Sequence, residues 1–116
     1  MHNVIIALGS NYLQTDHIQW ASQQLETLLS DLRFSRTIWT RDIKGSGKMY
    51  MNRLACGTTS LCVEALEKRL KQMEAETGRT PQHVTLDLDL MQYDTERYHE
   101  KDWSRPYIQQ LIPDIQ

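Results

Sequence analysis

The stretch TLDLDLMQYD, residues 85–94, alternates leucine and acid almost one for one, and the rest of the chain is read outward from it. In a strand, side chains two apart share a face, so Leu86, Leu88 and Leu90 point one way and Asp87 and Asp89 the other. Two readings follow. The stretch can be a half-buried strand whose wet face happens to be acidic, as antiparallel sheets commonly have. Alternatively, two carboxylates about 7 Å apart on a stiff strand can bracket a hard, oxygen-loving cation such as Mg²⁺.

Upstream, Val63, Leu66, Leu70 and Met73 recur at helical spacing, and predict an amphipathic helix over about 61–76 with Glu64, Lys68, Lys71 and Glu74 partly on its wet side. Gly78 stands where a helix C-terminus favours glycine. Before that helix, MYMNRLACGTT, 49–59, has strand character, and DIKGSGK, 42–48, is too polar to pack and is expected to be a mobile connection and a possible lid. FSRTIWT, 34–40, alternates with strong β-formers and is expected to be one strand. Ile18, Ala21, Leu25, Leu28, Leu29 and Leu32 give a first helix over about 16–30, with Asp16 and Gln19 as a capping box. NVIIALG, 3–9, is a short apolar run ending in a turn, a buried strand. Downstream, the tail beginning at Tyr93 is polar and offers few apolar anchors.

The order strand, helix, strand, strand, helix, strand is the split βαβ arrangement. It predicts one α+β, ferredoxin-like domain, β-α-β-β-α-β, over residues 1–116, with an antiparallel four-stranded sheet carrying both helices on one face. The leucines of 86–90 then press on the helices, and Asp87 and Asp89 look out from the bare face.

Length and charge narrow the function. At 116 residues the chain is one domain's worth, and 13 basic against 15 acidic residues leave no polyanion-coating surface, so no nucleic-acid partner is expected. No apolar run nears the roughly 20 residues of a membrane span, and the start MHNVIIALG lacks a signal peptide's pattern, so no membrane partner and a cytoplasmic location are expected. Cys56 and Cys62 have no metal-ligand partners at useful spacing and are expected in or near the core. The scattered histidines give no zinc arrangement.

Several short signals, ordered along nearly the whole chain, resemble the 6-hydroxymethyl-7,8-dihydropterin pyrophosphokinase family of folate biosynthesis. They are IALGSN at 6–11, Tyr50-Met51-Asn52 as the family's Tyr-x-Asn, Gly78-Arg79, TLDLDL at 85–90, and His99 and Arg105 at the family's six-residue spacing, with Tyr107 where an aromatic usually sits. The resemblance implies a ferredoxin-like transferase, a kinase that moves pyrophosphate from Mg-ATP, its co-substrate, to the pterin hydroxymethyl oxygen and releases AMP. It further implies two Mg²⁺ ions held by Asp87 and Asp89, which with Arg79 form the catalytic set. Thr40, Ile43, Tyr50, Asn52 and Tyr107 are implied as the pterin pocket, and Glu74, Arg79, His99 and Arg105 as the nucleotide side. Guanidinium groups suit phosphate through their planar donor fork.

The chain departs from the family pattern between Gly-Arg and TLDLD. A longer basic loop, with a tryptophan and a Pro-Arg before the threonine, is reduced to TPQHV, so His83 and Val84 stand in the Pro-Arg positions. A charge-stabilising arginine is thereby lost, which in phosphoryl transfer can cost orders of magnitude in rate. Arg41, Lys44 or Lys48 can substitute for it. Arg41 itself replaces a family proline, and the chain is shorter than the family's usual length, without its C-terminal extension. The expected function is the pyrophosphokinase reaction; the alternative is a catalytically impaired paralogue that binds pterin or nucleotide. A ferredoxin-like interaction domain with an acidic sheet face ranks third. Oligomeric state is not legible.

Overall fold

Val4, Ile6 and Leu8 alternate with Asn3, Ile5 and Ala7 along the first strand, β1 (His2–Ser10), and the two sets face opposite sides of the sheet. A computed structural model describes all 116 residues. After β1 come α1 (Gln14–Leu28), β2 (Ser30–Phe34), β3 (Ile38–Arg41), β4 (Met49–Thr59), α2 (Val63–Glu76), β5 (Asp87–Tyr93), β6 (Glu96–Arg97), α3 (Glu100–Trp103) and α4 (Pro106–Ile115). The strands form one antiparallel sheet in the order β2-β4-β1-β5-β6, with β3 pairing the first half of β4. This is the α+β, ferredoxin-like layout with two additions.

The first addition is a break in the expected strand 34–40. Phe34 ends β2 and Ile38 begins β3, because Ser35 leaves the regular ladder: its hydroxyl accepts from Leu54 N at 2.8 Å while its own N–H donates to Leu54 O at 2.9 Å. The Ser35 carbonyl accepts from Arg53 Nε at 2.9 Å, so the break is hydrogen-bonded on every side. With this break and the short β6 beyond β5, the sheet has six strands rather than four.

The second addition lies in the C-terminal segment. The expectation of a polar tail with few apolar anchors is wrong, and so is that of a bare sheet face. Ile108, Leu111 and Ile115 of α4, with Trp103, are buried against Leu54, Cys56 and Met91 as a second core. The stripe has helical spacing, but the charged run before it and Pro113 in its last turn dilute the signal. Pro106 opens α4 at the first helical position, where its missing N–H costs nothing.

On the opposite face, Ile18, Ala21 and Leu25 of α1 and Leu66, Leu70 and Met73 of α2 pack on Val4, Ile6, Leu8, Leu86, Leu88 and Leu90. The leucine row of the opening stretch is thus core, as its period requires. The Asp16–Gln19 capping box does not form: α1 starts at Gln14 after Leu13 in the left-handed region (φ 45°), with no side-chain cap. Helix α2 does end as expected, at a left-handed Gly78 (φ 73°). Cys56 is buried, but Cys62 is exposed at the N-cap of α2, because the chain has already left the sheet there.

Candidate active site

The sheet register sets the floor of a hollow. Gly9 of β1 pairs with Asn52 of β4 on one side and with Asp87 of β5 on the other, and Ala7 pairs with Leu54 and Asp89. Residues paired across neighbouring strands share a face, so the acids, the amide and two small residues lie on one face in two adjacent rows, Asn52–Gly9–Asp87 and Leu54–Ala7–Asp89. A Cβ on Gly9 would lie 3.7 Å from Asn52 Oδ1 and 3.8 Å from Tyr50 Cδ2, so glycine keeps the centre of the floor open. Because α4 covers the β2–β4 side of this face, the open part is confined to one end, a hollow of about 350 Å³.

Its wall contains Thr40, Ile43, Tyr50, Asn52, Arg79, Asp87, Asp89, Arg105 and Tyr107. Nine of the eleven residues singled out from sequence therefore line one cavity. Glu74 and His99 are outside the wall and stand beside the acids. Glu74 is largely buried; its Oε2 accepts from Leu88 N at 2.7 Å and lies 3.9 Å from Arg79 Nη1, so it joins α2 to β5 rather than lying on a wet helix face. His99 Nε2 is 3.8 Å from Asp89 Oδ1.

The aromatic end of the hollow is held by side-chain hydrogen bonds. Asn52 Nδ2 donates to Thr40 Oγ1 at 2.8 Å, which orients the amide and leaves its oxygen on the hollow side. Asn11 Nδ2 donates to the Tyr50 hydroxyl at 3.4 Å. Asn11 also fixes the short loop, since its N–H donates to Val84 O at 2.9 Å and its Oδ1 accepts from Val84 N at 2.8 Å. Burial pushes up the Tyr107 and Tyr50 phenols, so both rings meet the hollow neutral.

The acidic end is electrostatically loaded. Arg79 Nη1 lies 3.5 Å from Asp87 Oδ1. Asp89 has no hydrogen bond from the chain to hold its charge, and its carboxyl is pushed up to about 6, first by burial and next by the Asp87 charge, with His99 opposing. A carboxylate pair that repels itself and faces open space is a donor set a hard divalent cation fits, since the ion relieves the repulsion. Two oxygen ligands with no sulfur, on a floor with room for water and phosphate oxygens, suit Mg²⁺.

Of the three proposed stand-ins for the absent arginine, Arg41 and Lys44 line the hollow. Lys48 does not; its ammonium donates to the Gln82 carbonyl. His83 stacks on Tyr12 with ring centroids 3.8 Å apart, and Val84 presents an aliphatic side to the wall. Residues missed in the sequence are Ala7, Gly9, Asn11 and Asp102. Gly9 and Asn11 belong to IALGSN but are defined as site residues only by strand register. Asp102 carried a signal, as an acid three residues before Arg105.

A wider depression of about 620 Å³ near Asn3, Asp31, Arg33 and Gln92 brings together neither aromatic rings nor paired carboxylates. No helix is long and apolar enough to cross a membrane.

In comparison with known families, the model described as 7,8-dihydro-6-hydroxymethylpterin-pyrophosphokinase (HPPK) matches residues 5–116. No curated protein matches the chain.

Proposed function

Since the chain belongs to the 7,8-dihydro-6-hydroxymethylpterin-pyrophosphokinase family, over residues 5–116, we propose that it transfers pyrophosphate from Mg-ATP to 6-hydroxymethyl-7,8-dihydropterin and releases AMP, in the cytoplasm. The observation that carries this reading is the continuity of the hollow: a ring-sized end with Tyr50, Asn52 and Tyr107 runs into an acidic end with Asp87 and Asp89. A free buried thiol and a free exposed one accord with a reducing compartment.

In this reading Asn52 Oδ1 accepts from the pterin's ring N–H groups, with Thr40 holding the amide in place. Tyr50 and Tyr107 flank the flat heterocycle, and Ile43, exposed on its loop, closes over it. Asp87 and Asp89 would hold two Mg²⁺ ions, whose charge would offset that of the triphosphate. Arg79 and Arg105 take phosphate oxygens, while Glu74 keeps Arg79 near the acids and His99 stands by Asp89 on the nucleotide side. The chain's part is alignment: the hydroxymethyl oxygen is held in line to form its bond to the β-phosphorus as the bond to AMP breaks. Arg41 or Lys44 takes the place of the absent arginine.

A second reading, a pterin- or nucleotide-binding module without catalysis, is favoured by one observation. His83 stacks on Tyr12 and Val84 is aliphatic, so the TPQHV loop offers no guanidinium to the hollow. Calorimetry with a non-hydrolysable ATP analogue, Mg²⁺ and the pterin, followed by an AMP-release assay with ATP, separates the two. The enzyme gives metal-dependent binding and AMP; binding without AMP selects the module; no binding of either ligand removes both.

A further inference from the structure

Four acids line the hollow: Asp42, Asp87, Asp89 and Asp102. Asp42 Oδ1 accepts from Lys44 N at 3.0 Å and serves its own loop. Asp87 and Asp89 have a task in the reading above, and Asp102 has none. It adds negative charge beside the place where a polyanion is to bind, which by itself is unfavourable.

Its geometry supplies the compensation. Asp102 Oδ1 accepts from Arg105 Nε at 2.7 Å, a charge-assisted bond between two partly buried side chains. That bond engages one edge of the guanidinium and leaves Nη1 and Nη2 without a partner in the chain. An unrestrained arginine carries about 2 kcal/mol of rotamer entropy, and pinning one edge fixes the plane of the fork before any ligand arrives. The support is firm: Asp102 sits in α3 next to the buried Trp103, whose indole Nε1 donates to Tyr98 O at 3.1 Å, and Arg105 is the N-cap residue of α4.

We infer that Asp102 is a positioning residue that holds Arg105 by Nε so that the Nη1–Nη2 end is presented, pre-oriented, to two phosphate oxygens of the nucleotide. Asp102 also lies within 4.8 Å of Asp89 and His99, close enough for the three to share a cation. Its Oδ1 is already occupied by a guanidinium, so the contact that exists assigns it to Arg105, and metal ligation becomes an outcome of the test.

The inference rests on the nucleotide reading above. Wild type, Asp102→Ala, Asp102→Asn, Arg105→Ala and the Asp102→Ala/Arg105→Ala double variant are titrated with a non-hydrolysable ATP analogue at fixed Mg²⁺, and separately with Mn²⁺ alone. Asp102→Ala is expected to weaken the analogue about fivefold, the loss of one orienting hydrogen bond. Asp102→Asn keeps the acceptor oxygen and is expected to stay within about twofold of wild type, because the amide still orients the fork. In the Arg105→Ala background the alanine change is expected to do nothing, and Mn²⁺ affinity is expected to be constant across the Asp102 variants. Should Asp102→Ala not fold, Asp102→Ser, too short to reach Nε, takes its place.

An effect that persists without Arg105, equal tightening in the Ala and Asn variants, or no effect at all overturns the inference. Parallel loss of Mn²⁺ affinity in both Asp102 variants makes Asp102 a metal ligand and also overturns it. Wild type failing to bind the analogue removes the nucleotide reading itself, whereas wild-type binding with an unaffected Asp102→Ala removes the inference alone.

Discussion

Asp89 concentrates the tension of the site. Its carboxyl is pushed up to about 6 by burial and by Asp87, so the fold prefers it protonated. A folded-state value above the unfolded one contributes stability that is full below about pH 4 and is lost as pH rises through about 6. In chelator, urea unfolding of wild type relative to Asp89→Asn is therefore expected to show wild type losing stability across pH 4–6, by at most about 3 kcal/mol. Saturating Mg²⁺ is expected to reverse the loss. A flat difference would mean the carboxyl is not under strain. Asp89→Ala is expected to abolish metal-dependent nucleotide binding with the fold intact, and an unchanged affinity in calorimetry would remove the metal-site argument. Gly9 is the opposite kind of residue, important for what it lacks. Its missing Cβ leaves the floor clear between Asn52 and Asp87, so Gly9→Val is expected to keep the thermal midpoint within a few degrees and to weaken pterin binding at least tenfold. Unchanged pterin affinity would take the ring out of this hollow.

Elements differ in how plainly their sequences announce them. Helix α2 and the first half of β5 are legible because one period runs through each, three to four for the helix and two for the strand as far as Leu90; Met91, buried like Leu90, breaks the alternation where the pairing with β1 shifts register. The strand expected over 34–40 is interrupted because the Ser35 hydroxyl takes a ladder hydrogen bond from Leu54, a non-local contact that local alternation cannot report. Helix α4 matters most for the site, since it covers part of an open sheet face to leave a hollow and brings Tyr107 and Arg105 to its wall. Its core contacts are extensive enough to test by deletion. Leu111 is fully buried, so Leu111→Ala is expected to cost about 2–5 kcal/mol of unfolding free energy in a urea titration. A cost below about 1 kcal/mol would mean that α4 is not integral to the domain.

In the whole molecule, the sheet separates two jobs. One face, under α1 and α2, carries the larger core, of which Leu8 of the central strand β1 alone reaches the wall of the hollow. The other face is divided between the α4 core and the site, so the chain's smaller core abuts its chemistry directly. The candidate wall draws on β1, β3, β4, β5, two loops and the α3–α4 corner, which explains why ligands that span it are expected to act on global stability. Analogue, Mg²⁺ and pterin together are expected to raise the thermal midpoint above that with any one of them, because each binds only the folded form. A midpoint indifferent to the combination would separate the two ends of the hollow into unrelated surfaces.

By itself the sequence determined the periodic elements, the side of β5 on which the leucines lie, and the short motifs that resemble the family. These depend on neighbours two to four residues apart, which the chain order preserves. Only the tertiary structure decided that α4 closes the second face, that Gly9 and Ala7 form the floor, that Glu74 is bonded to β5, and that Asp102 grips Arg105. Each of the first three is a relation between residues distant along the chain, set by strand register and by which apolar stripe finds which face. The last is local in sequence, but whether an acid three residues away is solvated or bonded depends on the turn that the buried Trp103 holds in place.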